Sequence, residues 1–129
     1  MQIKYMDQGF VKFYPGEDYL YVEVLGKKYL EYGGDASQAF RTVITAVDLY
    51  CDTHHKKHMT IINLQDVNFI LVNPESTLRL ITSLHNGHRD TNRMAGIEII
   101  NSDPVFDISF NLLKLSLPHS ICGRIVIKK

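Results

Sequence analysis

Six side chains that can bind a metal ion fall into two groups along the chain. They are Cys51, His54, His55 and His58, followed later by His85 and His88. Thiolates and imidazoles are ligands that zinc prefers, but zinc ligands usually come at tighter, paired spacings. Lys56 and Lys57 would also repel a cation, and histidines at a helix C-terminus gain from the helix dipole. We therefore predict solvated helix ends, no metal site and no cofactor.

Two hydroxyl groups lie at the start of a predicted helix. Ser76 and Thr77 fall in the first turn after Asn73-Pro74, where the free amides and the dipole favour a phosphate group. Hydroxyl residues are also common at helix starts because they cap the backbone. Ser76 and Thr77 are therefore candidate phosphorylation sites, with a purely structural role as the alternative.

Side chains arranged for catalysis are not evident in the sequence. It contains no G-x-S-x-G elbow, no glycine-rich phosphate loop and no paired-carboxylate signature. Asp103 and Asp107 flank a predicted helix start, where the dipole explains acidic residues. Cys51 and Cys122 are too far apart in sequence to indicate a disulfide framework and are expected to be packed thiols. The sequence predicts a protein that is not an enzyme.

The composition is that of one globular domain covering residues 1–129. Apolar residues make up 45% and charged residues 22% of the chain, values typical of a folded protein. Fourteen basic residues balance fourteen acidic ones, so no overall field attracts nucleic acid. Neither a signal peptide nor an apolar run of about 20 residues is present. We expect a cytoplasmic protein without a membrane span and without a nucleic-acid partner.

The first half of the chain contains predicted strands and one helix. Alternating apolar residues predict a hairpin of strands at 10–14 and 19–25. Asp35 is a suitable N-cap for a helix over 36–51, and a polar run over 52–58 ends that helix. An almost continuous apolar run over 59–72 predicts a central strand that is covered on both faces.

The second half repeats the alternation of helix and strand. Asn73 and Pro74 start a helix that Asn86-Gly87 ends. A strand at 96–100, a helix from Ser102-Asp103-Pro104 to about residue 117 and a strand at 124–127 follow. The order β-β-α-β-α-β-α-β predicts an α/β fold with a mostly parallel sheet and an antiparallel N-terminal edge strand.

This order also separates two ends of the predicted sheet. The loops 33–35, 71–74 and 101–104 all follow strands, so they meet at the carboxyl end, where α/β domains gather binding sites. The histidines follow helices and therefore lie at the opposite end. We expect the loops, and not the histidines, to form the functional surface.

The segment from Asn63 to Leu80 resembles the switch region of STAS domains, the anti-sigma-factor antagonist family. That pattern is an apolar strand D-L-S-x-V-x-F-I, then D-S-S-G, then an apolar helix. The residues in register are Leu64, Val67, Phe69, Ile70 and Leu78. Residues 19–26 are similar to the second strand of the family with its closing glycine, residues 36–51 to its first helix, and Ser102-Asp-Pro-Val105 to a later turn. The resemblance implies a STAS-like fold and a regulatory domain that binds an anti-sigma factor, a kinase-like protein or another signalling protein.

The phosphoacceptor of this family is replaced in the present chain. The D-S-S-G motif corresponds to Leu71-Val72-Asn73-Pro74, and Asn73 has no hydroxyl group at the acceptor position. The resemblance therefore implies protein binding without the usual phosphoserine switch. The residues expected to bind the partner are Asp35, Asn73, Glu75, Ser76, Arg79 and Ser102.

Two alternatives remain. Residues 96–101, Phe106, Phe110, Lys114, Leu117 and Arg124-Ile125 resemble the gate region of lipid-carrying CRAL-TRIO (Sec14-like) domains, although Leu115 and Ser116 replace the proline and phenylalanine of the K-P-F-L motif. This resemblance implies a carrier or sensor of a small apolar ligand. The other alternative is a homodimer that pairs through the tyrosine-rich N-terminal hairpin, since edge strands are ready pairing surfaces.

Overall fold

The computed structural model describes residues 9–32, 35–67, 74–88 and 91–128. The strands are β1 (Val11–Pro15), β2 (Tyr19–Leu25), β3 (Lys57–Asn63), β4 (Met94–Ile100) and β5 (Ile125–Ile127). The helices are α1 (Gly26–Leu30), α2 (Ala36–His54), α3 (Pro74–Gly87), α4 (Pro104–Leu113) and α5 (His119–Cys122), with short 3-10 turns at Thr91–Arg93 and Lys114–Ser116.

The five strands form one mixed sheet in the order β1-β2-β3-β4-β5. β1 pairs antiparallel with β2, while β2, β3, β4 and β5 are parallel to their neighbours. The predicted α/β class, the antiparallel N-terminal edge and the central place of β3 are thereby confirmed. The order of elements differs in detail, because α1, α5 and the 3-10 turns were not predicted.

The helices cover one face of the sheet. Each crossover moves one strand further in the same direction, and right-handed crossovers of that kind place every helix on the same side. Burial along β2 agrees, because Leu20, Val22 and Val24 are buried and Tyr21 and Glu23 between them are only half-buried. The domain therefore has two layers, and the other sheet face is open to solvent among the described residues.

The central strand differs from its prediction in two respects. It is covered on one face and not on both, and it ends earlier than predicted. In β3, Thr60 and Ile62 are buried while Met59 and Ile61 are half-buried, which is the alternation of a strand covered on one face. The strand ends at Asn63, and a turn with Asp66 in the left-handed region (φ 63°) follows it. The predicted continuation over residues 68–72 lies outside the described residues.

The polar run over 52–58, which was predicted to end the first helix, instead contains the last residues of α2 and the start of β3. α2 continues to His54 and ends at His55, which has a left-handed backbone (φ 54°) and donates its N–H to the Cys51 carbonyl. β3 then begins at Lys57. The helix that was expected to reach residue 117 ends at Leu113 and continues only as a 3-10 turn. Among the described residues, no helix is both long and apolar enough to cross a membrane.

The N-terminal hairpin is anchored in the core by Phe10. This ring is fully buried and contacts the rings of Tyr29, Tyr32 and Phe40, with centroids 5.2, 5.3 and 6.1 Å away. The pairs with Tyr29 and Tyr32 are edge-to-face and the pair with Phe40 is stacked, and aromatic pairs of both kinds add to the free energy of burial. Phe10, just before β1, thus joins α1 and α2 in a single core.

Candidate functional site

The carboxyl ends of β2, β3 and β4 are joined by a chain of side-chain hydrogen bonds. Asn63 donates from Nδ2 to Glu23 Oε2 (3.0 Å), and Asn101 donates from Nδ2 to Asn63 Oδ1 (2.9 Å). Asn63 Oδ1 also accepts the backbone N–H of Gln65 at 3.0 Å. Asn63 is therefore the centre of a polar network that crosses three strands and holds the following turn.

The network extends to the edge strand through Tyr14. The Tyr14 hydroxyl donates to Glu23 Oε1 at 3.0 Å, and this hydrogen bond to a carboxylate raises the pKa of Tyr14. Glu23 thus accepts from Tyr14 on one side and from Asn63 on the other. Side chains from four consecutive strands are fixed relative to one another on the open face of the sheet.

The short helix α1 completes this end of the sheet. A Cβ atom on Gly26 would lie 3.0 Å from the Asn63 carbonyl oxygen and 3.1 Å from Leu64 Cδ2, so the absence of a side chain lets α1 approach β3 closely. A cleft of about 170 Å³ runs between the two elements, and Lys27 and Lys28 line it. We call this surface, comprising residues 25–28, 63–66 and 101–103, the strand-end rim.

The described residues predicted to bind a partner have different roles, and of them only Ser102 belongs to the strand-end rim. Asp35 is exposed and caps α2 by accepting the Gln38 N–H at 3.1 Å. Arg79 is exposed on α3. Ser102 donates to Asp107 Oδ1 at 2.6 Å, which gives it a structural role at the start of α4.

The remaining predicted positions are only partly described. Asn73 lies outside the described residues, and so do the side chains of Glu75, Ser76 and Thr77. The backbone of these last three residues belongs to the first turn of α3, which begins at Pro74. Their place at a helix start is therefore confirmed, and the proposed phosphorylation remains a prediction.

At the opposite end of the sheet, three ionisable side chains from three elements come together. They are Asp48 of α2, His58 of β3 and His88, which follows α3. One oxygen or nitrogen donor from each residue lies within 4.8 Å of the others. His88 Nδ1 and Asp48 Oδ1 are 2.7 Å apart, and the rings of His58 and His88 stack with centroids 4.1 Å apart.

We call Asp48, His58 and His88 the His-His-Asp cluster. The cluster is shielded from solvent. His58 is fully buried and His88 is 6% exposed, and the Asp48 side chain is 13% exposed. The pairing of β3 with β4 is irregular between His58 and Met59. Irregularities of this kind re-aim side chains and are common near functional sites.

The prediction of solvated helix ends holds for some histidines and fails for others. His54 and His55 are exposed as expected, whereas His58 and His88 are buried. β3 begins earlier than predicted and carries His58 to the covered face of the sheet. Cys51, considered as a ligand, is buried, and burial raises the pKa of its thiol to about 11. The thiol is therefore protonated near neutral pH and is a poor nucleophile.

The sequence analysis missed this cluster, although two features of the sequence could have indicated it. Asp48 lies among Ile44, Val47 and Cys51 on the apolar stripe of α2, where a carboxylate needs a partner. His58 is in register with the inward-facing Thr60 and Ile62, at a spacing of two residues. The pairing with His88 depends on how α3 packs, which no local pattern shows.

Arg93 holds the chain beside the cluster in place. Its Nη1 donates to the carbonyl oxygens of Cys51 and Lys56, both at 3.1 Å, and its Nε pairs with Asp52 Oδ1 at 3.1 Å. One guanidinium thus satisfies carbonyls at the end of α2 and neutralises a nearby carboxylate. The Lys56 side chain points away to the Gly16 carbonyl in the hairpin turn.

No protein-family model matches the sequence, and no curated protein matches it significantly. The function is therefore inferred from the geometry of the rim, from the His-His-Asp cluster and from the resemblances of the sequence.

Proposed function

We propose that this protein is a non-catalytic regulatory module that binds a signalling protein, of the anti-sigma-factor or kinase-like class, on the strand-end rim. In this proposal the module lacks the usual phosphoserine switch, because Asn73 replaces the acceptor. The observation that carries the proposal is the network of Glu23, Asn63 and Asn101. It fixes the ends of three strands into a rigid surface, and a rigid surface loses little entropy on binding.

The charges around the rim suit a partner with mixed charge. Lys27 and Lys28 are exposed beside the cleft, Asp35 caps the neighbouring helix, and Arg79 is exposed on α3. Charged groups at the periphery of a protein–protein interface mainly set the association rate and the choice of partner. Reversing single charges there should weaken binding without disturbing the core.

A capture experiment tests this proposal. The wild-type protein, Lys28→Glu and Arg79→Glu are immobilised and exposed to extract from the native source, and retained proteins are quantified by mass spectrometry. Lys57→Glu is the matched control, because Lys57 is an exposed lysine at the other end of the sheet. We expect one signalling protein to be retained by wild type and the control and reduced about tenfold by Lys28→Glu on the rim and by Arg79→Glu on α3.

Equal recovery of every retained protein by all four forms would contradict the proposal. Ser76→Glu adds a separate comparison, because it places a negative charge in the first turn of α3, as phosphorylation would. A partner that binds wild type but not Ser76→Glu would support Ser76 as a displaced switch. Equal binding of the partner to wild type and to Ser76→Glu would favour a structural role for Ser76.

A second function, a carrier of a small apolar ligand, is favoured by one cleft. This cleft of about 350 Å³ lies between α1, α2 and α3 and is lined in part by Tyr29, Phe40 and Ile44. Its volume is at the lower end for small-molecule sites. Phe106 and Phe110, in the segment that resembles a lipid gate, are instead stacked in the core with centroids 5.3 Å apart.

Mass spectrometry of an organic extract of the purified protein tests the carrier function. A carrier would release a stoichiometric apolar compound, and Ser83→Trp, which fills the cleft from an exposed position on α3, would lose that compound. An extract without any such compound from wild-type protein would exclude this function for the purified chain.

A further inference from the structure

We propose that Asp48, His58 and His88 form a binding site for one divalent transition-metal ion of the zinc class. The site lies at the end of the sheet opposite the rim and is independent of the binding function proposed there. It revises the expectation, drawn from the sequence, that the histidines serve only as solvated helix ends.

The first argument is the convergence of three ligands from distant parts of the chain. Their donor atoms lie within 4.8 Å of one another, and the three residues belong to α2, to β3 and to the segment after α3. Two imidazoles and one carboxylate are a common ligand set for zinc, with water completing the coordination. Magnesium and calcium prefer oxygen ligands alone, so the two nitrogens select against them.

Burial is the second argument. His58 is completely buried and His88 nearly so, which excludes most competing water and fixes both rings by packing. The partial exposure of the Asp48 side chain, 13%, leaves a path for the ion and for a water ligand. A site of this kind binds an ion more tightly than scattered surface histidines, because its ligands are already positioned.

The charges nearby are compatible with a cation. Asp48 supplies a negative charge, and the guanidinium of Arg93 is paired with Asp52. The Lys56 amine reaches the Gly16 carbonyl. The repulsion expected from Lys56 is thus reduced, because its amine is directed to the hairpin turn.

Metal binding requires a small rearrangement of the cluster. His88 Nδ1 and Asp48 Oδ1 are 2.7 Å apart, whereas two ligands of a tetrahedral zinc ion with bonds of about 2.0–2.1 Å lie roughly 3.3 Å apart. The pair must therefore open slightly, and the rings, inclined by only 22°, must turn so that their lone pairs converge. His88 Nδ1 and Asp48 Oδ1 would then bind the ion instead of each other, with the ring proton of the neutral imidazole on Nε2.

The test is a titration of the metal-free full chain with Zn²⁺ and, separately, with Co²⁺. Native mass spectrometry measures the stoichiometry, and visible absorption of Co²⁺ reports its geometry, since four- or five-coordinate Co²⁺ absorbs far more strongly than the hydrated ion. Asp48→Asn and His88→Gln remove single ligands with little change in volume. His54→Ala with His55→Ala is the matched control, because it removes two exposed histidines at the same end of the molecule.

We expect one Zn²⁺ per chain, an intense Co²⁺ spectrum, and Zn²⁺ binding weakened about tenfold or more in both ligand variants but unchanged in the control. The Co²⁺ spectrum of wild type keeps the test decisive if a ligand variant does not fold. The absence of a stoichiometric adduct, a spectrum of hydrated Co²⁺, or loss of binding only in the His54/His55 control would overturn the proposal.

Discussion

Cys51 and Cys122 are the two thiols of this chain, and their surroundings differ. Cys51 is completely buried in α2, and its pKa is raised to about 11 by that burial, whereas Cys122 is partly exposed at the end of α5. Only a thiolate reacts readily with alkylating reagents. We predict that iodoacetamide at pH 8 modifies Cys122 well before Cys51, as measured by peptide mass spectrometry. Faster modification of Cys51 would show that α2 is not packed as described.

The same thiol predicts a dependence of stability on pH. The pKa of Cys51 is higher in the folded state, about 11, than its ordinary value of 9.0, so the folded state holds the proton more strongly. This contribution to stability is fully present below about pH 9 and is lost as pH rises toward 11. The free energy of unfolding measured in urea should therefore fall over this pH range, and it should fall more for wild type than for Cys51→Ala. Parallel curves for the two proteins would contradict the assignment.

At the residue scale, the sequence indicates which side chains have useful chemistry but not their surroundings. Asp35 is predicted as a cap and accepts the expected backbone N–H of Gln38, because capping depends only on neighbours in sequence. Asp103, predicted at a helix start, likewise accepts the Phe106 N–H. His58 and His88 were taken for solvated residues. Their burial depends on where β3 begins and on how α3 packs, which are contacts between residues far apart in the chain.

At the scale of elements, α1 is held against β3 by Gly26. The substitution Gly26→Ala would place a methyl group 3.0 Å from the backbone oxygen of Asn63, and backbone cannot move away as easily as a side chain. We predict a loss of about 1–3 kcal/mol in the free energy of unfolding, measured by urea denaturation. Gly123→Ala is the control, since its nearest atom would be 3.6 Å away. Equal stability of Gly26→Ala and wild type would show that α1 is not closely packed.

The sequence predicted strands and helices well where local patterns determine them. β2 has the predicted bounds, and α3 begins at the predicted Pro74 and ends at the predicted glycine, because strand alternation and helix punctuation are local signals. Of the strand expected over residues 59–72, residues 59–63 belong to β3, whereas residues 64–67 do not continue it. The expected coverage of both faces was wrong, since an apolar run does not show whether one or both faces are covered. α1 was missed because it has only five residues, too few to show periodicity.

At the scale of the whole molecule, the N-terminal hairpin belongs to the core and is not a detachable arm. Phe10 is buried among Tyr29, Tyr32 and Phe40. Phe10→Ala should therefore reduce the free energy of unfolding by about 3–5 kcal/mol, a large part of the total for a domain of this size. Tyr14→Phe is a control that removes one exposed hydroxyl group. A thermal melt showing similar losses for both variants would contradict this packing.

The buried hairpin also changes how dimerisation must be tested. Deleting β1 would remove part of the core, so a truncated chain would lose stability whether or not it pairs. β1 has exposed Lys12, Tyr14 and Pro15 along the sheet edge, and lysine and proline at an edge oppose pairing with another strand. A homodimer through this edge remains a prediction, and light scattering of the intact chain measures it without disturbing the fold.

Site-specific photocrosslinking in the native cells measures whether the strand-end rim contacts a signalling protein. A photoreactive amino acid is placed at Lys28 on the rim or at Lys57 at the other end of the sheet, both of them exposed positions. We predict a discrete crosslinked product containing one signalling protein from position 28 and not from position 57. The same product from both positions, or from position 57 alone, would contradict the claim.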